Sequence, residues 1–124
     1  MAVRRTDHGV VGLAMLWLPV VAVMAAIFYF SSLPRKDIPS LFPLQDVFFH
    51  GMIYAVLAWF FKRALKHTCP HLSAATLVIV TVFFGLAYGA SDEFHQLFTP
   101  GRTAGLEDVI TDAVGSFLGS VIYR

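Results

Sequence analysis

The apolar positions of this chain gather into four long runs separated by short polar segments. The first covers about Gly12 to Phe30, GLAMLWLPVVAVMAAIFYF, and the second starts at Val47 and extends to about residue 65, its most apolar part ending at Phe61. The third runs from about Leu72 to Ala90 and the fourth from about Leu106 to Tyr123. A helix needs about 20 mostly apolar residues to cross a hydrocarbon core, and each run is near that length. The expected fold is therefore all-α: a single membrane domain over residues 1–124, built as a bundle of four transmembrane helices over 12–30, 47–65, 72–90 and 106–123. The second and fourth runs are short and carry ionisable residues near one end, so that end should extend past the lipid or tuck into the bundle. Pro19 lies inside the first run, where neighbouring helices can re-satisfy the backbone group a proline frees. Arg4 and Arg5 precede that run and Ala25 and Ala26 lie near its end, as in a signal peptide. The run is too long for a typical signal core and three more follow, which predicts a retained helix.

Composition agrees with lipid as the solvent. Of 124 residues, 57% are hydrophobic and 14% charged, and the mean hydropathy is +0.71. A soluble domain of this size cannot hide so much apolar surface. The net charge of +1 gives no basic face for nucleic acid. There is no Gly-rich phosphate loop, no CxxC and no HExxH, and Cys69 is the only cysteine, which excludes an intramolecular disulfide.

Loop charges predict orientation. With four spans, the N-terminus, the second loop and the C-terminus share one side, which holds Arg4, Arg5, Lys62, Arg63, Lys66 and Arg124 against Asp7. The other side holds Arg35, Lys36 and Arg102 together with Asp37, Asp46, Asp92, Glu93, Glu107, Asp108 and Asp112. The positive-inside rule then makes both termini cytoplasmic. Between the first two runs, Pro34, Pro39 and Pro43 exclude a continuous helix and predict an extended lid. Pro100-Gly101 marks a turn between the last two.

Most of the polar chemistry falls at the outward end. Asp46, His50 and Tyr54 recur every four residues and share one helix face. Asp92, Glu93, His95 and Gln96 occupy adjoining faces of about one turn, and Asp108 and Asp112 are again four apart on the side of Gly115 and Gly119. Charged groups facing lipid cost up to about 2.5–3.5 kcal/mol each at a helix centre, so these faces are expected to turn inward around a shared hydrated pocket, with Arg102 clamping its carboxylates. Plainer roles exist for each. Asp46, Glu107 and Asp108 suit the first turns of helices, and His50 with Tyr54 suits a buried hydrogen-bonded pair. Asp112, Glu93 and Gln96 are harder to place without a site. The GxxxG pairs Gly85/Gly89 and Gly115/Gly119 predict close approach of the third and fourth helices.

The segment SDEFHQLFTPGRTAGLEDVITDAVGSFLG resembles the signature of the VanZ-like family, through Asp92, Glu93, Gln96, Phe98, Pro100, Gly101, Arg102, Asp108, Gly115 and Gly119. DVFFHGMIYAVLAW is similar to the family's D-K-x-x-H-x-x-x-Y run at Asp46, His50 and Tyr54, and SSLP at Ser31 to Pro34 resembles its element after the first span. Val47 stands where the family usually has Lys, and Asp112 where it usually has Asn, which makes this pocket more negative. The resemblance implies a small multi-pass protein of the bacterial cytoplasmic membrane, linked to low-level resistance to teicoplanin-type glycopeptides or to envelope homeostasis.

The expected partners are the lipid bilayer and a lipid-linked cell-wall intermediate or envelope protein. The leading expectation is ligand binding in the outward pocket by Asp46, His50, Tyr54, Asp92, Glu93, Gln96, Arg102, Asp108 and Asp112. An alternative is an enzyme acting on a lipid-linked substrate, with Asp92, Glu93 or His50 as acid or base. The local excess of acids leaves cation binding or small-scale transport as a further alternative. No ligand spacing forms a strong metal signature, so no metal site and no cofactor are assigned from sequence.

Overall fold

The computed structural model describes residues 9–124. Arg4, Arg5 and Asp7, which entered the charge count above, lie outside them. The described chain forms four α-helices, α1 (Val10–Ser31), α2 (Gln45–Thr68), α3 (Ala74–Gln96) and α4 (Leu106–Ile122), with a single 3-10 turn at Arg35–Asp37. There is no strand among the described residues. The apolar runs thus mark the helices correctly, but the helices outlast them: α2 continues through its polar tail to Thr68 and α3 extends to Gln96.

Two helices, α1 and α3, are long and apolar enough to cross a membrane. Large apolar side chains face outward on all four: Met15, Leu18, Val21 and Phe28 on α1, Phe48, Phe49 and Met52 on α2, Ile79 and Phe83 on α3, and Ile110, Val114 and Phe117 on α4. The interior is the reverse of a water-soluble core. Buried polar residues, among them Thr81, Asp92, Glu93, Gln96, Asp112, Ser116 and Ser120, outnumber the buried apolar ones. Such an arrangement is favourable where the surrounding medium is itself apolar, because polar groups then gain most by meeting one another inside.

Small residues bring α4 close to both of its neighbours. Gly85 and Gly89 of α3 face Ser116 and Asp112 of α4, and a Cβ on Gly89 would lie 2.8 Å from Asp112 Oδ2. Gly115 and Gly119 do something the spacing did not reveal. They press against the backbone of Gly51 and Ala55 on α2, not against α3. The two GxxxG motifs therefore serve two different interfaces, and α4 is wedged between α2 and α3.

The ends are individually tied. Ser73 caps α3 by accepting a hydrogen bond from Thr76 N–H at 3.1 Å. Lys62, counted above among the charges of the cytoplasmic side, is buried within α2. Its Nζ donates to the carbonyls of Ser120 at 2.5 Å and Tyr123 at 2.7 Å, so a cation closes the C-terminal end of α4, where unpaired carbonyls and the helix dipole favour one. Around this end, Trp17 Nε1 donates to Thr68 Oγ1 at 3.0 Å, and the Trp59 and Tyr123 rings meet edge to face at 5.0 Å.

The segment between α1 and α2, expected as an extended lid, contains no continuous α-helix but includes the 3-10 turn at Arg35–Asp37. Gln45 holds it by accepting from Leu41 N–H at 2.5 Å and donating to Pro39 O at 2.7 Å. Arg35 N–H donates to Pro100 O at 3.3 Å, joining the lid to the α3–α4 turn. Gly101 makes that turn with φ +73°, a left-handed conformation that favours glycine.

Candidate functional site

The end of the bundle bearing the lid holds the candidate site. α1 ends there at Ser31, whose Oγ donates to Asp92 Oδ1 of α3. Gln96 Nε2 donates to the same Ser31 Oγ at 3.3 Å, and Thr99 Oγ1 to Ser31 O at 3.1 Å. One small hydroxyl residue at a helix terminus thereby fixes the last turn of α3, and Asp92 and Gln96 take their positions from it.

Beneath the lid, His50 Nδ1 of α2 lies 2.9 Å from Asp112 Oδ1 of α4. Asp112 is fully buried, as are Tyr54 and Ser116 near it in depth. The same turn of α3 that carries Asp92 supplies Glu93, whose Oε2 accepts from Gly105 N–H at 3.0 Å. His50, Asp92, Glu93 and Asp112 each offer a ligating atom within 4.8 Å of all the others. Side chains of α2, α3 and α4 therefore converge in one buried cluster. Tyr54 stands one turn below His50 with the rings parallel and their centroids 6.4 Å apart. Its hydroxyl has no hydrogen-bond partner, so the expected His50–Tyr54 hydrogen bond is replaced by ring packing.

Above this cluster lies a cavity of about 270 Å³ lined by Arg35, Asp46, His50, Gln96, Gly101, Arg102, Thr103 and Asp108. A neighbouring cavity of about 440 Å³ shares Arg35, Asp46, Thr103 and Asp108. Arg35 Nη1 pairs with Asp46 Oδ2 at 2.7 Å, and this hydrogen bond, with the charge attraction behind it, raises the Arg35 guanidinium above its ordinary pKa. Arg102 reaches the cavity as expected but does not clamp a carboxylate. Its Nη2 donates to Phe30 O at 3.0 Å, capping the C-terminal end of α1. His95 lies apart from the cluster, stacked on Phe28 with centroids 4.4 Å apart.

The sequence-derived site residues thus divide into two levels. Asp46, His50, Gln96, Arg102 and Asp108 line the cavity. Asp92, Glu93 and Asp112 lie with His50 in the buried cluster. Arg35 was counted on the outward side and Ser31 in SSLP, but neither was assigned a site role from sequence. Arg35 sits in a proline-rich loop with no periodicity to orient it, and Ser31 was visible only as part of SSLP.

The family model described as VanZ/LLP1 matches residues 16–124. No curated protein and no solved structure matches the chain.

Proposed function

The chain belongs to the VanZ/LLP1 family, and we propose that it is a multi-pass protein of the bacterial cytoplasmic membrane that binds an anionic envelope component in an outward-facing polar pocket. In this reading all four helices span the bilayer and both termini are cytoplasmic. The apolar outer faces of α2 and α4 support the two additional spans, and the excess of Lys and Arg at the opposite end supports the orientation.

The observation that carries the proposal is the pairing of Arg35 and Arg102 in one polar cavity at the lid end. They come from two different loops joined by the Arg35–Pro100 hydrogen bond. Planar guanidinium groups suit phosphate and carboxylate groups, which they can bind through two parallel hydrogen bonds. A site at the outer membrane face would meet lipid-linked wall intermediates and lipid-bearing glycopeptides, and its occupation would alter how the antibiotic reaches its target.

Expression in a susceptible host tests this. The wild-type chain should lower susceptibility to teicoplanin but not to vancomycin, and Arg35→Ala and Arg102→Ala, at equal membrane abundance, should abolish the effect. Equal susceptibility with and without the chain would overturn the reading.

A second reading rests on the His50–Asp112 pair. His50 borders the cavity while Asp112 holds its ring from behind, the arrangement of an oriented acid–base group. Asp92 and Glu93 are the accompanying carboxylates. Turnover of lipid-linked wall precursors by the purified protein, lost in His50→Gln, would establish it; absence of turnover would count against it.

A further inference from the structure

The cluster beneath the cavity has more carboxyl groups than it has cationic partners. Asp92, Glu93 and Asp112 come from two helices and are all buried, at 6%, 5% and 0% exposure. His50 is the only cationic partner paired with any of them among the described residues. The other nearby cations are engaged elsewhere. Arg35 pairs with Asp46, and Arg102 donates to a backbone carbonyl.

Two oxygens in this cluster point to what is missing. Glu93 Oε1 and Asp112 Oδ2 are buried with no hydrogen-bond partner. In each carboxylate the other oxygen is held, Glu93 Oε2 by Gly105 N–H and Asp112 Oδ1 by His50. Each side chain is therefore anchored through one oxygen and presents the second unpaired. A buried acceptor left this way carries the full cost of its lost hydration, more when it is charged. Gly89 makes the arrangement sterically feasible, because a Cβ there would lie 2.8 Å from the unpaired Asp112 Oδ2.

We propose that His50, Asp92, Glu93 and Asp112 form a binding site for one divalent first-row transition metal ion, of the manganese or zinc type. The spacing suits it. The four ligating atoms lie within 4.8 Å of one another, and a tetrahedral ion with bonds of about 2.1 Å separates its ligands by about 3.4 Å, a contraction that side-chain rotation supplies. One imidazole with three carboxylates is too nitrogen-rich for a typical calcium site and too oxygen-rich for copper(I). The shell behind the ligands is also of the right kind. Ser31 Oγ and Gly105 N–H hold Asp92 and Glu93 from behind, and His50 Nδ1, which faces Asp112 Oδ1 at 2.9 Å, would exchange that contact for the ion as its neighbouring ligand. His50 belongs to both the cluster and the cavity, which gives the ion a route from the aqueous side. A divalent ion would give both unpaired oxygens a partner. This inference depends only on the cluster, and holds whichever ligand the cavity above it takes.

The test uses the full chain in lipid nanodiscs, stripped of metal with a chelator and titrated with Mn²⁺ by electron paramagnetic resonance. Wild type should bind one Mn²⁺ per chain, release it to added Zn²⁺, and show in pulsed spectra the nitrogen coupling of one imidazole. Glu93→Gln and Asp112→Asn should each weaken binding by about tenfold or more, while Asp37→Asn, at an exposed position outside the cluster and the cavity, should bind as wild type does. Sub-stoichiometric wild-type binding, absence of the nitrogen coupling, or equal binding by a folded Glu93→Gln or Asp112→Asn chain would overturn the proposal, as would loss of binding in Asp37→Asn equal to that in Glu93→Gln. If the cluster variants lose their helical circular dichroism, wild-type stoichiometry and nitrogen coupling alone decide.

Discussion

His50 Nδ1 and Asp112 Oδ1 lie 2.9 Å apart although 62 residues separate them in the chain. The pair crosses from α2 to α4 within the bundle, and Asp112 is fully buried. Removing one partner from such a pair leaves the other with a polar group that neither lipid nor protein satisfies. His50→Ala should therefore destabilise the protein more than the double change His50→Ala with Asp112→Asn. A double-mutant cycle read by unfolding in detergent should return a coupling of about 1–3 kcal/mol. Additive single changes would show that the two side chains do not act together.

The glycines make an asymmetric prediction across the α2–α4 interface. A Cβ on Gly115 or Gly119 would collide with the backbone of Gly51 or Ala55, which can yield only if the helices separate. Gly115→Ala and Gly119→Ala should each cost about 1–3 kcal/mol. Gly51→Ala should be tolerated, since its Cβ would meet only Thr111 Cγ2 at 3.8 Å, an ordinary contact. Thermal unfolding of the three variants checks the order, and a destabilised Gly51→Ala chain would contradict this packing.

Lys62 should matter to a helix that is distant from it in sequence. Its Nζ holds the carbonyls of Ser120 and Tyr123, so Lys62→Met should leave α4 frayed at its C-terminal end. The expected loss is about 1 kcal/mol. Hydrogen exchange should accelerate over the last turn of α4 and not in α2; uniform acceleration would show that the substitution acts on the whole fold.

Topology can be read from thiols. In a Cys69→Ser background, Thr103→Cys, at the exposed α3–α4 connection, should react with a membrane-impermeant maleimide in intact cells or spheroplasts. Native Cys69, at the α2–α3 connection, should react only after lysis. Reaction of Cys69 from outside would reverse the orientation.

The four helices were legible because each carries a long apolar run. Those of α1 and α3, the two helices long and apolar enough to cross a membrane, locate them almost by themselves. Where the chain is polar the boundaries were less visible: the second helix was expected over 47–65, and the structure carries it through Lys66 and His67 to Thr68. The polar faces were legible for a similar reason. Asp46, His50 and Tyr54 repeat at helical spacing, and an ionisable face on an apolar helix has reason to turn inward.

Which partners those faces meet was another matter. The spacing of Gly115 and Gly119 marks a face that can approach another helix closely, but α2 and α3 are equally compatible with it. Lys62 and Ser120, 58 residues apart, share no local pattern. Arg102 was placed at the pocket by its turn, yet its hydrogen bond went to Phe30 O rather than to a carboxylate.

By itself the sequence determined the helices, their inward faces and the end of the bundle where charge collects. These follow from local spacing and from the cost of exposing charge to an apolar medium. Only the tertiary structure decided that α4 wedges between α2 and α3, that Arg35 joins Arg102 at the cavity, and that His50, Asp92, Glu93 and Asp112 meet below it. Those relations depend on how each helix is rotated and translated against its neighbours. That choice is made by packing at glycine-lined contacts and by hydrogen bonds between segments far apart in the chain, which no local period records.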